Sequence, residues 1–230
     1  MALFELKQVG RTYPLGDIRV EALSNVSLTI EAGELLAFVG PSGSGKSTLC
    51  HLLGLLDLPT TGQILLDGLD ASTLDENGRS DRRNRMIGFV FQNFSLVPVL
   101  TALENVQLPL LFRATREGES RCLAAEALDA VGLTPCRHQR PNQLSGGQQQ
   151  RVAIARALVT RAEVVIADEP TANLDSGAAA GLLDLIRRLN TERRTTFLLA
   201  THDARLLQHI PRQISLRDGR VIADQGGGRP

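Results

Sequence analysis

Lysine is almost missing from this 230-residue chain. Lys7 and Lys46 are the only two, and every other cationic residue of the Lys and Arg class is arginine. Where lysine is so scarce, the place of each one carries information. Net charge is missing as well, because 25 Lys plus Arg balance 25 Asp plus Glu. That balance argues against a basic nucleic-acid footprint over the whole domain and leaves room only for a local patch. Cysteine is down to Cys50, Cys122 and Cys136, which are odd in number, widely spaced and free of any CxxC pair. Free thiols in a reducing compartment fit this pattern better than disulfides or zinc. Long apolar runs are absent too. A membrane-spanning helix needs about 18–20 such residues, and the richest segment, residues 96–112, is broken by Glu104, Asn105 and Gln107. The opening MALFELKQVGRTYPLGD lacks the charged-then-apolar layout of a secretory signal. The expectation is a soluble cytoplasmic protein.

What is present is globular. Apolar residues at 43% and charged residues at 22% are ordinary usage, and the length suits one domain with space for a small inserted lobe. Short strands are expected at residues 3–9, 26–30, 35–39 and 63–66, punctuated by Ala32-Gly33 and Asp67-Gly68. Residues 35–39 (LLAFV) are continuously apolar, as in a parallel strand buried on both faces. They run into a glycine loop and then a helix over 46–56, the opening of an α/β nucleotide-binding fold. After a strand at 87–91, residues 94–162 read as mainly helical, with helices over 118–131 and from the cap Ser145 to about 159. The α/β pattern then resumes with a strand at 163–167, a helix at 176–190, a strand at 196–200 and a short helix at 204–209. Asp218-Gly219 between runs 213–216 and 220–223 signals a type I′ hairpin, and the terminal GGGRP is expected to fray. The chain thus reads as a single domain over 1–230, with a core at about 1–93 and 163–230 and a helical lobe at about 94–162.

Three motifs carry chemistry. Residues 40–47 read GPSGSGKS, an unbroken match to GxxxxGK[ST], followed by Thr48. Glycines Gly40, Gly43 and Gly45, with Pro41, Ser42 and Ser44 between them, let backbone N–H groups turn inward around phosphates. The helix start adds partial positive charge, Lys46 neutralises phosphate oxygens, and Ser47 offers a hydroxyl to Mg²⁺. A nucleoside triphosphate is the implied ligand. Residues 163–169 read EVVIADE, so a strand end would present Asp168 as a Mg²⁺ ligand and Glu169 as the base for an attacking water. Residues 144–148 read LSGGQ at a helix start, where Ser145 caps and two glycines each cost about 1 kcal/mol relative to alanine. A second run of exposed N–H groups there is a second anion site.

In these motifs and their order, the chain resembles the ATP-binding cassette (ABC) family over essentially its whole length. GPSGSGKST is followed by Gln92 in VFQNF, then LSGGQ, VVIADEP, ANLD and THD. The resemblance implies an α/β P-loop NTPase core sheet with an inserted helical lobe and an N-terminal antiparallel β part. It also implies an ATPase that uses ATP and Mg²⁺ and pairs head to tail with a second copy, each ATP lying between the phosphate loop of one subunit and the LSGGQ of the other. By the same resemblance Tyr13 is the ring that stacks on adenine, Gln92 ligates Mg²⁺ or water and senses a membrane partner, and Glu169 is the general base. His202 in ATHD would contact the γ-phosphate. Ser145, Gly146, Gly147 and Gln148 would meet it across the dimer, with Asp175 at that interface. His51, His138 and His209 receive no role, and the clusters Arg82-Arg83-Asn84-Arg85, Arg187-Arg188 and Arg193-Arg194 read as solvated faces.

A lone cassette suits a subunit paired with a separately encoded integral membrane permease, peripheral at the inner face of the cell membrane. The 28 residues after His202 leave no room for an added regulatory domain. HLLGLLDLPTTGQILLDG and FVFQNFSLVPVLTALENVQLPL look most like ATPases of the lipoprotein-release and macrolide-exporter group, although Ala172 stands where that group commonly has glycine. Amino-acid importer ATPases and non-transport soluble ABC proteins are the alternatives.

Overall fold

The continuous apolar runs are strands whose alternate residues feed two different cores. A computed structural model describes residues 2–16, 18–113 and 115–226, the side chains of 204 and 205 excepted. Residues 227–230 of the expected frayed tail lie outside the described residues. In chain order the elements are β1 (Ala2–Leu15), β2 (Ile18–Glu31), β3 (Leu35–Val39), α1 (Lys46–Leu53), β4 (Thr61–Leu66), β5 (Leu69–Asp70), α2 (Glu76–Met86) and β6 (Ile87–Val90). Then follow α3 (Ala102–Gln107), α4 (Glu117–Ala130), α5 (Gly146–Leu158), β7 (Val164–Asp168), α6 (Ser176–Arg193), β8 (Thr196–Thr201), α7 (Ala204–Leu207), β9 (Arg212–Arg217) and β10 (Arg220–Gln225).

Six strands form the core sheet in the order β10-β9-β3-β8-β7-β6, parallel throughout except for the β9–β10 hairpin. Four form an antiparallel sheet, β2-β1-β4-β5. In the core sheet the side-chain period of two sorts residues cleanly. Leu35, Ala37, Val165, Ala167, Phe197 and Leu199 pack with α5, α6 and the helices of the middle segment. Leu36, Phe38, Val164, Ile166, Leu198 and Ala200 pack with α1 and the antiparallel sheet. Each fully buried side chain of the Leu or Phe class contributes about 1.5–3 kcal/mol. The antiparallel sheet is covered on one side only, so Leu23, Val26, Leu28 and Ile30 are buried while Ser27 and Thr29 alternate outward.

Several boundaries differ from expectation. β1 and β2 each run 14 residues, far beyond the apolar stretches that announce them, because β-bulges near Val9 and Arg11 let the pair continue past the core. α1 stops at Leu53, where Gly54 caps it, short of 56. The middle segment holds three α-helices, and residues 93–101 before them form a loop. α2 was announced only by a charge cluster, and that cluster is not merely solvated. Arg82 donates to the Leu66 carbonyl and Arg83 to the Leu55 carbonyl, tying α2 to β4 and to the end of α1. Asp218 and Gly219 both have positive φ, 48° and 74°, the type I′ geometry that an Asp-Gly pair favours.

Candidate functional site

The sheet register brings the motif residues to one edge. Val39 pairs with Thr201, Ala200 with Asp168, and Ala167 with Val90. The loop that begins at Gly40, His202, Glu169 and the Phe91-Gln92 turn therefore all leave the sheet at the carboxyl ends of its strands, where ligands of open α/β sheets bind.

The glycine loop wraps a buried cation. Lys46 is 7% exposed, and its ammonium donates to the carbonyls of Gly40 at 2.8 Å and Pro41 at 3.0 Å. Among the described residues it forms no ion pair. A charge held this way, with only neutral carbonyls as partners, invites an anion. Gly45 caps α1 with φ 101°, a conformation other residues rarely adopt, and Leu49 begins the helical ladder by donating to the Gly45 carbonyl. Ser42, Gly43 and Ser47 are exposed, while Ser44 is buried with an unpartnered hydroxyl.

Beyond β7 the chain turns sharply. Asp168 ends the strand, and its Oδ1 is buried without a hydrogen-bond partner among the described residues. Glu169 adopts φ 48° and donates its N–H to the Ala200 carbonyl. Its Oε1 lies 2.7 Å from Nδ1 of His202, a ring that is 68% exposed beside a carboxylate that is only 17% exposed. An ionised carboxylate only accepts, so Nδ1 carries the proton in this pair. Cys50 on α1 reports the surrounding charges. Burial pushes its thiol far above the ordinary range, Asp168 and Glu169 push the same way, and Lys46 opposes them.

The LSGGQ turn is a capped helix start. The Ser145 hydroxyl accepts from the Gln148 N–H, and the Gln148 side chain accepts from the Ser145 N–H. A side chain at Gly146 would meet nothing closer than 3.6 Å within this chain, so packing here does not demand glycine at that position. No hydrogen bond among the described residues joins this turn to the 40–47 loop. It sits instead near the residues after Glu169, since the Asn173 carbonyl and Leu174 are the nearest groups to Gly146. Asn173 donates to the carbonyl of Gln92 at 2.9 Å, and Asp175 caps α6 by accepting from the Ala178 N–H. Gln92, Thr48 and Gly147 complete the expected set, with Gln92 exposed and the other two partly covered.

Tyr13 stands on the long β1 arm, half-buried. Two residues that sequence reasoning passed over hold it: Asp57 accepts from its hydroxyl at 2.8 Å, and the Arg11 guanidinium lies 4.5 Å from its ring centre. Only the i, i+2 spacing of Arg11 and Tyr13 on a strand hinted at Arg11, and nothing local hinted at Asp57. An open groove of about 670 Å³ is lined by Leu56, Phe89, Phe91, Pro109, Phe112 and Ala157, among others. Phe112 is 84% exposed at its rim.

A glycine loop between strand and helix with a buried lysine, and an acidic pair closing the neighbouring strand, define a P-loop nucleoside triphosphatase. The family model described as ABC transporter matches residues 23–172. The chain is 46% identical over 220 residues to the lipoprotein-releasing system ATP-binding protein LolD of Bordetella pertussis, covering 96% of this chain and 95% of that one. It is 49% identical over 224 residues to the macrolide export ATP-binding/permease protein MacB of Hyphomonas neptunium, covering 97% of this chain and 35% of the longer protein. Among solved structures, the ATP-binding cassette MJ0796, seen as a dimer in a post-hydrolysis state bound to ADP and Pi, shares 43% identity and a TM-score of 0.90 over 99% of this chain and all of that one. The chain belongs to the ABC transporter family and is an ATP-binding, ATP-hydrolysing component of it.

Proposed function

We propose that the chain works as a head-to-tail homodimer closed around two ATP at the cytoplasmic face of a membrane, driving a separately encoded permease of the lipoprotein-release or macrolide-export type. The observation that carries the nucleotide site is Lys46, a buried ammonium at the start of a helix with no carboxylate partner among the described residues. The shared site is supported by Gly146, whose missing side chain nothing within the chain requires and which leaves a capped helix start open to an outside anion. The transporter type rests on relatives that match along almost the whole chain.

In this reading Lys46 and the N–H groups of the loop bind the β- and γ-phosphates, and Tyr13 stacks on the base. Glu169 accepts a proton from water as its oxygen attacks the γ-phosphorus and the bond to the β-phosphate oxygen breaks, giving ADP and phosphate. His202 donates Nδ1–H to Glu169 in the free chain, and its exposed ring turns toward the γ-phosphate when ATP is present. The oxygen donors suit Mg²⁺. The buried Asp168 Oδ1 lacks a partner, and the Ser47 hydroxyl is exposed at the start of α1, with Gln92 as a further ligand. When bound, Mg²⁺ supplies neutralisation of the phosphate oxygens.

The groove lined by Phe91 is the face we assign to the permease, because the exposed apolar side chains of Phe112 and Leu56 line it. The protein is a single domain with the helical lobe inserted at about 94–162. No helix among the described residues is long and apolar enough to cross a membrane, so the membrane step falls to the partner. Capture of the tagged chain from solubilised membranes should recover an integral membrane permease with few spans and a large extracytoplasmic domain. Recovery of soluble or nucleic-acid partners alone would refute the transporter reading, and an importer permease would move it to the amino-acid class. Specific ATPase activity should also climb with protein concentration in dilute samples. Constant specific activity from a proven monomer would refute the shared site.

A further inference from the structure

The residues around Tyr13 form a built support. Arg11 and Tyr13 are two apart on β1 and so share a face of the strand. The Arg11 guanidinium covers one side of the ring at 4.5 Å from its centre. Asp57, from the turn after α1, ties both together: one carboxylate oxygen lies 2.7 Å from Arg11 Nη2, and the other accepts the Tyr13 hydroxyl at 2.8 Å. Asp57 is itself held, since its Oδ1 accepts the Leu58 N–H at 2.8 Å. Neither charged side chain is loose at the surface, at 23% and 24% exposure.

We propose that Asp57 and Arg11 are positioning residues for the base of the nucleotide: they lock the Tyr13 ring at one angle, cover one of its faces and leave the other as a fixed platform. This inference rests on Tyr13 being the stacking ring. A ring that is already held loses less freedom when a base docks on it, so the support raises affinity without touching ATP. A cation on the covered face also draws π density toward itself, which suits an electron-rich purine on the free face. Opposite Tyr13 in the β1–β2 ladder stands Val20, 45% exposed, an apolar neighbour for the same platform.

Inorganic tripolyphosphate separates this role from general damage, because it occupies the phosphate loop and has no base. The probes are ATP and tripolyphosphate, each with Mg²⁺, titrated calorimetrically into the full chain carrying Glu169→Gln to prevent turnover. Asp57→Ala should weaken ATP binding by roughly three- to tenfold, the loss of one charge-assisted hydrogen bond and of an ordered ring. Tripolyphosphate affinity should stay within about twofold, the range of one small free-energy increment. Tyr13→Phe, which keeps the ring and the Arg11 stack, should lose less than Asp57→Ala, and Asp57→Asn should fall between them. Equal losses for ATP and tripolyphosphate in Asp57→Ala, or no loss for ATP, would overturn the positioning role. Tyr13→Ala reads the underlying assignment separately. If it leaves ATP affinity unchanged, the stacking reading fails, whereas a large loss there with none in Asp57→Ala and Asp57→Asn defeats the support alone.

Discussion

Gly219 and Gly68 occupy the second position of two Asp-Gly turns with the same φ of 74°, yet their surroundings differ completely. A side chain at Gly68 would meet nothing within 4 Å. At Gly219 it would stand 2.8 Å from the Ala22 carbonyl oxygen and 3.1 Å from the Leu23 Cα, both backbone atoms of β2. Moreover Gly219 donates its N–H to the Ser44 carbonyl at 3.1 Å and accepts from the Ser24 N–H at 2.8 Å, so the hairpin turn is wedged between β2 and the phosphate loop. Gly68→Ala should therefore cost only the left-handed backbone penalty, about 1–2 kcal/mol. Gly219→Ala should cost that plus the relief of backbone overlap, typically about 1–3 kcal/mol more. For a domain of this size the extra loss lowers the melting temperature by roughly 2–12 °C beyond the Gly68 variant. The relief must come from β2 or from Ser44-Gly45, and a shifted loop that loses one phosphate hydrogen bond weakens ATP binding by roughly tenfold or more. Differential scanning fluorimetry and ATP titration on both variants test this. Equal melting shifts, or a Gly219→Ala protein that binds ATP as well as Gly68→Ala does, would show that the turn does not buttress the loop.

Three further outcomes follow from the site and its supports. Glu169→Gln should still bind ATP, hydrolyse it about 10²-fold or more slowly, and accumulate as a dimer in size-exclusion chromatography with ATP; turnover at the parent rate would remove Glu169 as the base. The Cys50 thiol should resist alkylation in the folded chain while the exposed Cys122 reacts. Because burial raises the Cys50 pKa above its ordinary value of 9.0, the stability linked to it is complete below that pH and is lost above it, by up to about 1.4 kcal/mol per pH unit. Urea unfolding of the parent and of Cys50→Ala at about pH 8 and about pH 10 should show a larger alkaline loss in the parent. Arg156→Ala should free the turn at Phe94 and Ser95, whose carbonyls its guanidinium holds and whose φ values are 61° and 48°. Hydrogen exchange across residues 93–96 should then quicken, and the fold should lose about 2 kcal/mol.

The fold was legible where local pattern and burial agree. The LLAFV and VVIAD runs are strands with both faces covered, and their parity sorts them between two cores. The glycine loop, the Ser145 cap and the Asp218-Gly219 turn were equally plain, because each depends on residues adjacent in sequence. α2 was not legible as a helix: its eleven residues bury only Met86, so no apolar periodicity marks it. The full β1–β2 arm was hidden for the opposite reason, since Leu15, Ile18 and Val20 are apolar but exposed. Asn105, which looked like a break in an apolar run, is fully buried and fastens residues 97–101 by donating to three carbonyls and accepting the Val97 N–H. Such a pin follows neither strand nor helix periodicity, so a polar residue in an apolar run does not announce it even though its partners lie within eight positions.

The same distinction explains how the groove and the nucleotide site are joined. α5 starts at the Ser145 cap, the proposed site for the partner's nucleotide, and near its other end Arg156 donates to the carbonyls of Phe94 and Ser95. Ser95 and Arg156 both line the groove beside Phe91. From the other side, Asn173 bonds the Gln92 carbonyl and presents its own carbonyl near Gly146. The segment that begins at Gln92 is thus held from the Arg156 end of α5 and from the turn that follows Glu169. A partner that displaces the groove wall must move α5 or break these bonds, and in the proposed dimer a nucleotide gripping the LSGGQ turn would pull on the same helix. Coupling requires that both ligands bias one element, and in the proposed dimer α5 would be the element they share.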